Sequence, residues 1–540
     1  MNAHVPIQGV LFLLHSGLVL PAGVQGWQVP PHGAEVREDP APVHSVGVEE
    51  NAPLPPPVGS QEHPGPNLVV REHTLENGLR LFIIPRPGAP IASFVVQYRI
   101  GSVNETPGTT GIAHFLEHLF FKGTTSVGTR DYALEAPLLE EMDRLHDSLM
   151  VLEDLPPPDT LAMASLEERL ESLEREASAL VVSNEFDEIL SENGARNLNA
   201  TTTAEATTYF VELPANRAEL WFVLEADRMQ NPVFREFYTE RDVVAEERRL
   251  RLENNPGGLL YQAHMAAAFQ AHPYGTPVVG YMEDIRRFSR EDVESYFRRY
   301  YGPNNAVLVV AGAVDPDQIL RWTQEYFGPI PRGEDPPPLR IREPEQRGER
   351  RVEVVYEAEP MLRIGWKVPP SHSPEGPALA MLSSLLTGGR GSRLYRRLVL
   401  EDRIASGVTA LSEPGTLYPG LFTIQASPLR TSTLSELEEA IYEELEALKV
   451  TPPRERELQR VRNQLEASEV RRLRSGFGLA LQVAASASLH GDWRATFDFY
   501  REMQEVTPSD IQRLVRSHFT KELRTVATLV KPPQTPEGRP

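Results

Sequence analysis

Two stretches of the chain repeat one pattern, and a repeat of this kind restricts the fold to a pair of similar units. Phe288-Ser-Arg-Glu-Asp-Val-Glu-Ser-Tyr-Phe-Arg-Arg-Tyr-Tyr301 has an amphipathic helical period and runs into an apolar strand signal over 306–311. Val506-Thr-Pro-Ser-Asp-Ile-Gln-Arg-Leu-Val-Arg-Ser-His-Phe519 does the same and runs into 523–530. Asp292 aligns with Asp510 and Tyr301 with Phe519 at one offset, 218 residues (292 to 510, 301 to 519). Ser289 and Thr507 stand where a helix N-cap belongs. Before the first copy, an Asn77-Gly78 turn separates two apolar runs and a further strand signal covers 92–100. Strand and helix patterns then alternate. The fold class is α+β: two homologous α/β domains, each an antiparallel or mixed sheet covered by helices.

The copies extend over residues 68–332 and 350–532, joined by a proline- and charge-rich linker at 333–349 and followed by a tail at 533–540. The 540 residues are ample for two such cores. Residues 137–182 break the symmetry. There Leu138, Met142, Leu145 and Leu149 share one helix face, and Leu166, Leu170, Leu173 and Ala177 share another beyond a run of three prolines. The pattern predicts an antiparallel helical hairpin inserted in the first domain. It either packs on itself alone or projects as a partner-binding arm.

Ahead of the repeat, Val10 to Leu20 is an apolar run followed by Pro21 and small residues. It is too short to cross a bilayer, which takes ~20 residues, and has the length of a signal-peptide core. Residues 1–26 are therefore expected to be a signal peptide, cleaved near Val24-Gln25-Gly26, and 27–67 a proline-rich disordered linker. This places the mature chain outside the cytoplasm, in a bacterial periplasm or secreted, without a membrane span. A formal net charge of −22 argues against nucleic acid as a partner, because that binding needs clustered cations.

The chemistry centres on Gly111-Ile-Ala-His-Phe-Leu-Glu-His-Leu-Phe-Phe121. His114 and His118 are four apart, so on a helix they share a face at a spacing that suits two ligands of one metal ion. Glu117 can reach the same pocket. The plainer alternative is a pair of core histidines bonded to the backbone, but it leaves Glu117 buried and unpaired at a cost of several kcal/mol. With 14 histidines and 76 acidic residues, such a pattern arises by chance about 0.05 times. The chain has no cysteine, so a third ligand must be a histidine or a carboxylate. The best region is the helical segment Thr239–Arg249, where Glu240 and Glu247 are seven apart and share a face after two turns.

The order H-x-x-E-H resembles the pitrilysin/insulinase-type zinc peptidases, which include the mitochondrial processing peptidases. Gly111 to Gly123 is nearly letter-perfect for that family. Asn199-Ala200-Thr-Thr202-Thr-Ala-Glu205-Ala-Thr207-Thr-Tyr209 resembles its second signature, and Glu240-Arg-Asp-Val-Val-Ala-Glu-Glu247 its third. The resemblance implies that His114, His118 and Glu247 hold Zn2+, with Glu246 the adjacent rival of Glu247. It implies that Glu117 is the general base activating a zinc-bound water and that Glu240 orients a ligand histidine. It also implies that the strand bearing Asn199, Ala200 and Thr202 receives the substrate peptide as an added strand. The expected activity is that of a zinc metalloendopeptidase acting on peptides or unfolded segments.

In the family the second domain lacks the metal, and here Ala380, Ser383, Ser384 and Gln464 align with His114, Glu117, His118 and Glu247. Two such chains close around a peptide, so a homodimer or a pairing with an inactive paralogue is implied. Two departures stand out. The spacing from the histidines to Glu247 is lengthened by the 137–182 insert. Ser406 occupies the place of a tyrosine that helps hold substrate, which keeps open the alternative of a non-catalytic or partner-dependent assembly subunit. Arg393 and Tyr395 read as structural.

Overall fold

The computed structural model describes residues 58–65 and 68–533. The expected signal peptide, residues 1–26, and all of the tail but its first residue lie outside them. In the first half the strands are β1 (Val58–Gly65), β2 (Leu68–Thr74), β3 (Arg80–Pro85), β4 (Ile91–Tyr98), β5 (Arg196–Thr202), β6 (Thr207–Pro214) and β7 (Ala306–Gly312). In the second they are β8 (Arg350–Val355), β9 (Met361–Val368), β10 (Ala405–Glu413), β11 (Gly420–Pro428) and β12 (Arg524–Val530). They form two sheets, β1-β2-β3-β7-β4-β6-β5 and β10-β11-β9-β12-β8.

The second order reproduces β5-β6-β4-β7-β3 of the first. β7 runs parallel to β3 and antiparallel to β4, as β12 runs parallel to β8 and antiparallel to β9. The outer pairs, β4 with β6 and β6 with β5, match β9 with β11 and β11 with β10, all antiparallel. The duplication seen in two helices is thus one of a whole five-stranded topology.

Helices of the first half are α1 (Ile112–Leu119), α2 (Tyr132–Glu153), α3 (Thr160–Ser178), α4 (Glu185–Glu192), α5 (Ala218–Gln230), α6 (Phe237–Arg248), α7 (Pro256–Ala268), α8 (Met282–Arg287), α9 (Arg290–Tyr300) and α10 (Pro316–Trp322). Those of the second are α11 (Gly376–Thr387), α12 (Leu434–Val450), α13 (Glu455–Arg474), α14 (Gly476–His490), α15 (Ala495–Glu505) and α16 (Pro508–His518). The repeated pair, α9 and α16, open with the same capping box: Ser289 with Asp292, and Thr507 with Asp510.

The halves exchange a helix. α7 and α14 follow α6 and α13 in the two copies, yet each covers the other half's sheet. Leu479, Ala480, Val483, Ala484 and Ala487 of α14 share a buried cluster with Phe82, Val95 and Val309 of the first sheet. Small residues let the helix approach closely. Leu260 of α7 packs with Ala527 and Leu529 of β12. Gly365 of β9 makes room for it, because a Cβ there would come within 2.7 Å of the His264 ring. β4 is consequently buried on both faces, with Phe94 and Val96 facing the helices of its own half and Val95 facing α14. This explains why its sequence is apolar without alternation.

The structure corrects two expectations. Within the linker expected over 27–67, residues 58–65 form a strand, β1, that pairs antiparallel with β2, and the rest of the linker lies outside the described residues. An unpaired sheet edge binds any extended backbone whatever its hydrophobic period. The first helix of the hairpin begins before Pro137: Asp131 caps α2 by accepting from the N–H groups of Ala133 and Leu134, and Pro137 lies inside the helix. The hairpin of α2 and α3 packs neither on itself alone nor as a free arm. Leu139, Met142, Leu173 and Ala177 belong to the core of the first half. The chain leaves and returns side by side, through a Thr129–Val181 bridge and the bonds Arg130 N to Leu180 O (2.8 Å) and Val182 N to Gly128 O (3.0 Å).

The helix exchange makes the halves one folding unit. Leu260→Ala is expected to cost about 2–5 kcal/mol and to shift the unfolding of both halves together. Denaturant unfolding, followed by probes placed in each sheet, checks this; two separate transitions would contradict it.

Candidate metal centre

α1 starts at Gly111, whose φ of +93° suits glycine and whose missing Cβ would otherwise overlap Val279 O. Gly111 has no side chain to cap the helix, and Glu105 does so from outside, accepting from the N–H groups of Gly111 (2.8 Å) and Ala113 (3.0 Å). Asp284 holds the preceding residue through Thr110 N (3.1 Å) and Oγ1 (2.5 Å). The apolar residues Ile112, Phe115, Leu116 and Leu119 bury α1 in the core, which leaves His114 and Glu117 7% and 8% exposed.

α6 lies against this face. Glu247 bridges the two histidines, with Oε1 3.6 Å from His114 Nε2 and Oε2 3.3 Å from His118 Nε2. One ligand atom from each of His114, His118 and Glu247 lies within 4.8 Å of the others, a grouping found once among the described residues. Ligands bound at ~2.1 Å in a tetrahedral site are about 3.4 Å apart, so the donor set fits a divalent ion with one position left open. Glu246 is on the outer side of α6, half exposed and 2.9 Å from Arg249. The competition between the two glutamates is decided by which face of α6 meets α1.

Glu240 Oε2 is 3.4 Å from His118 Nδ1, and its Oε1 is 2.5 Å from Lys122 Nζ. This leaves the Nε2 of His118 turned toward Glu247. Arg251 Nη1 is 2.6 Å from Glu247 Oε1, placed there by a π-helical turn over Arg249–Glu253. Glu117 Oε2 accepts a hydrogen bond from Thr202 Oγ1 at 2.5 Å. Sequence reasoning assigned Thr202 to substrate binding and missed this contact, and it did not single out Lys122 or Arg251. A signal for Lys122 was present, since it lies four residues past His118 and faces the same way on a continued helix.

Ala200 and Thr202 point to the buried side of β5, 1% and 5% exposed, while Asn199 Oδ1 accepts from the Ala200 N–H (2.8 Å). β5 ends its sheet and pairs with β6 on one side only.

Burial and the neighbouring His118 push the pKa of His114 down to about 3, so this ring is neutral. Burial also opposes charge on His118, but hydrogen bonds to Glu240 and Glu247 outweigh it and raise its pKa to about 9. Burial acts against the Glu247 carboxylate as well, yet the two histidines and Arg251 draw its pKa down to about 2. Without a metal, an imidazolium proton on His118 thus occupies the positive role between Glu240 and Glu247. Burial raises Glu117 above the usual carboxylate range against the pull of Thr202 and His118.

The corresponding face of the second half has no such donors. Ser383 Oγ donates to Ala410 O (2.6 Å), and Ser384 is buried. Arg393 is held by Glu457 (2.8 Å) and Glu444 (3.1 Å). Ser406 lies on β10 with its hydroxyl on Ser427 O (3.2 Å).

The sequence matches the family description "Insulinase (Peptidase family M16)" over residues 81–139 and 170–281, and "Peptidase M16 inactive domain" over 287–465. Together the matches span well over half of the chain. It is similar to the zinc protease PqqE of Helicobacter pylori, 27% identical over 468 residues that cover 85% of this chain and 92% of that protein. The probable mitochondrial-processing peptidase subunit beta of Arabidopsis thaliana is 24% identical over 467 residues, covering 83% and 76% of the two chains. Among solved structures, a protease from Helicobacter pylori superposes with a TM-score of 0.71 at 26% identity, covering 85% of this chain and 98% of its own.

A raised histidine pKa stabilises the fold while the group is protonated in both states. The contribution of His118 is therefore complete below pH ~6.5 and lost as the pH rises to about 9. That of Glu247 is complete above pH ~4.5 and lost as the pH falls to about 2. Chelator-treated protein is expected to lose thermal stability between pH 6.5 and 9, and His118→Gln to flatten this slope. Thermal scans of both proteins across that range check the sign.

Proposed function

The chain belongs to the insulinase family, peptidase family M16, and on that premise we propose that it is a zinc-dependent endopeptidase hydrolysing peptide bonds of peptides or unfolded segments. The observation that carries the proposal is the convergence of His114, His118 and Glu247 on one point, with the carboxylate of Glu117 beside it. These three residues would hold Zn2+, which when bound supplies a Lewis acid that polarises the scissile carbonyl and acidifies water. Glu117 takes the proton of the attacking water and passes it to the leaving amine. Thr202 occupies one oxygen of Glu117 and leaves the other for that proton. Its raised pKa brings it closer to the working pH, where a general base is most effective. Glu240, paired with Lys122, fixes the tautomer and orientation of His118 from its Nδ1 side.

The free edge of β5 receives the peptide as an added strand, which binds through the backbone with little demand on sequence. The net charge of −22 favours basic peptides. A second chain, identical or an inactive relative, closes over the bound peptide, and the mature protein acts after export. No helix among the described residues is long and apolar enough to cross a membrane.

One observation favours a second reading, a non-catalytic or partner-dependent assembly subunit. Ser406 bonds to its own sheet and offers substrate no phenol.

Cleavage of a mixed peptide pool tests the proposal. Glu117→Gln is expected to retain zinc, measured by metal analysis, and to lower kcat/KM by about 10²–10⁴-fold, and chelation to abolish cleavage reversibly. Zinc-loaded wild type without activity would favour the second reading.

A further inference from the structure

Glu205 is a buried carboxylate, 4% exposed, in the turn between β5 and β6, and the catalytic scheme leaves it unused. Its oxygens accept from the N–H of Thr416 (2.8 and 2.9 Å), the hydroxyl of Thr416 (2.9 Å), the N–H of Leu417 (2.7 Å) and the hydroxyl of Tyr274. Thr416 and Leu417 belong to the turn between β10 and β11 of the metal-free half. A buried carboxylate is costly unless its hydrogen bonds are met, and here three of the four donors come from the other half.

The Glu205 turn is hydrogen-bonded on its catalytic side as well. Its residues Thr203 and Ala204 accept from Ser102 N (3.2 Å) and Val103 N (2.9 Å), and Thr203 Oγ1 accepts from the N–H groups of Glu205 (3.2 Å) and Ala206 (3.0 Å). The residue before the turn is Thr202, whose hydroxyl is on Glu117. On the far side, Gly415 fits because a Cβ there would fall on the Tyr274 hydroxyl and on Glu205 Oε1. A chain of short contacts thus runs from the second half to the general base.

We propose that Glu205 is a positioning residue through which the metal-free half sets the catalytic half. By clamping the turn after β5 it fixes Thr202 on Glu117 and the register of the edge strand to which a peptide adds. The inference rests on the proposed peptidase activity, and its test separates the two.

Glu205→Gln, with an amide facing backbone N–H donors, attacks the clamp from one half, and Gly415→Ala and Thr416→Val attack it from the other. Zinc content and thermal scans first establish which variants fold. Hydrogen–deuterium exchange, read with and without zinc, is expected to quicken about tenfold or more over both 199–209 and 413–420, the size of a lost charged hydrogen bond. Peptide cleavage by the same variants is expected to fall about tenfold in kcat/KM and to scatter to neighbouring bonds. Faster exchange over 413–420 alone, with 199–209 and the cleavage positions unchanged, would overturn the proposal, as would failure of all three variants to fold. If zinc-loaded wild type cleaves nothing, the peptidase reading fails while exchange still decides the clamp.

Discussion

The arrangement around α1 follows from one constraint: ionisable side chains are carried on a helix whose remaining residues bury it in the core. His114 and Glu117 cannot turn to solvent without taking Phe115 and Leu116 out of the apolar cluster. Buried charge must be paired or neutralised. The chain answers with alternating signs along two facing helices: Lys122, Glu240, His118, Glu247 and Arg251 follow one another at contact distance. A buried ion ties the ends of these helices together. Arg235, 1% exposed, bonds to Glu135 of α2 (2.9 and 3.1 Å) and to the carbonyls of Lys122 (2.7 Å), Thr124 (2.8 Å) and Val127 (3.0 Å). One guanidinium therefore joins the exit of α1, the start of α2 and the entry of α6, using all five of its donors.

The second half shares the topology and lacks the donors. Its retention is understandable from packing alone, because α14 supplies the cover for one face of the first sheet. Without that helix Phe82, Val95 and Val309 would face water. The exchange is reciprocal, with α7 covering β12. Two halves that depend on each other's helices cannot separate and persist, however far their chemistry diverges. A residue at their junction, such as Glu205, can then act on the site without touching it.

The site was legible because its constraints are local. Helical spacing places His114 beside His118, and two turns place Glu240 and Glu247 on one side, so the sequence alone indicates which side chains can meet. The Thr202 contact with Glu117 was not legible, since it joins residues on different elements and depends on how β5 lies against α1. The helix exchange was hidden for a related reason: the apolar face of α14 says that something covers it, not which sheet. The start of α2 was misread because Pro137 suggests a first turn, whereas Asp131 had already capped the helix. Strand β1 carries no hydrophobic period and is recruited by the edge of β2, a fact about its neighbour rather than about its own residues.

The helical insert shows how a chain can lengthen between His118 and Glu247 without moving them apart. The family pattern breaks off over 140–169, and those residues do not form a separate body. They lengthen α2 and α3 outward from a base that lies in the matched part, where Glu135, Leu139, Leu173 and Ala177 are buried. Extending two antiparallel helices at their far end leaves the contacts at the near end in place, so His118 and Glu247 stay together. The added turns then make contacts of their own on the back of the ligand helix and on α9. Asp143 meets Arg290 at 3.0 Å, His146 Nε2 lies 3.4 Å from Arg241, and Tyr238 reaches the Met142 carbonyl at 3.4 Å. Arg241 and Tyr238 flank Glu240 on α6. The extension therefore braces the helix that carries Glu240 and Glu247, and deleting it would strip Arg290, 6% exposed, of its carboxylate. The unmatched turns are thus part of what holds α6 in place.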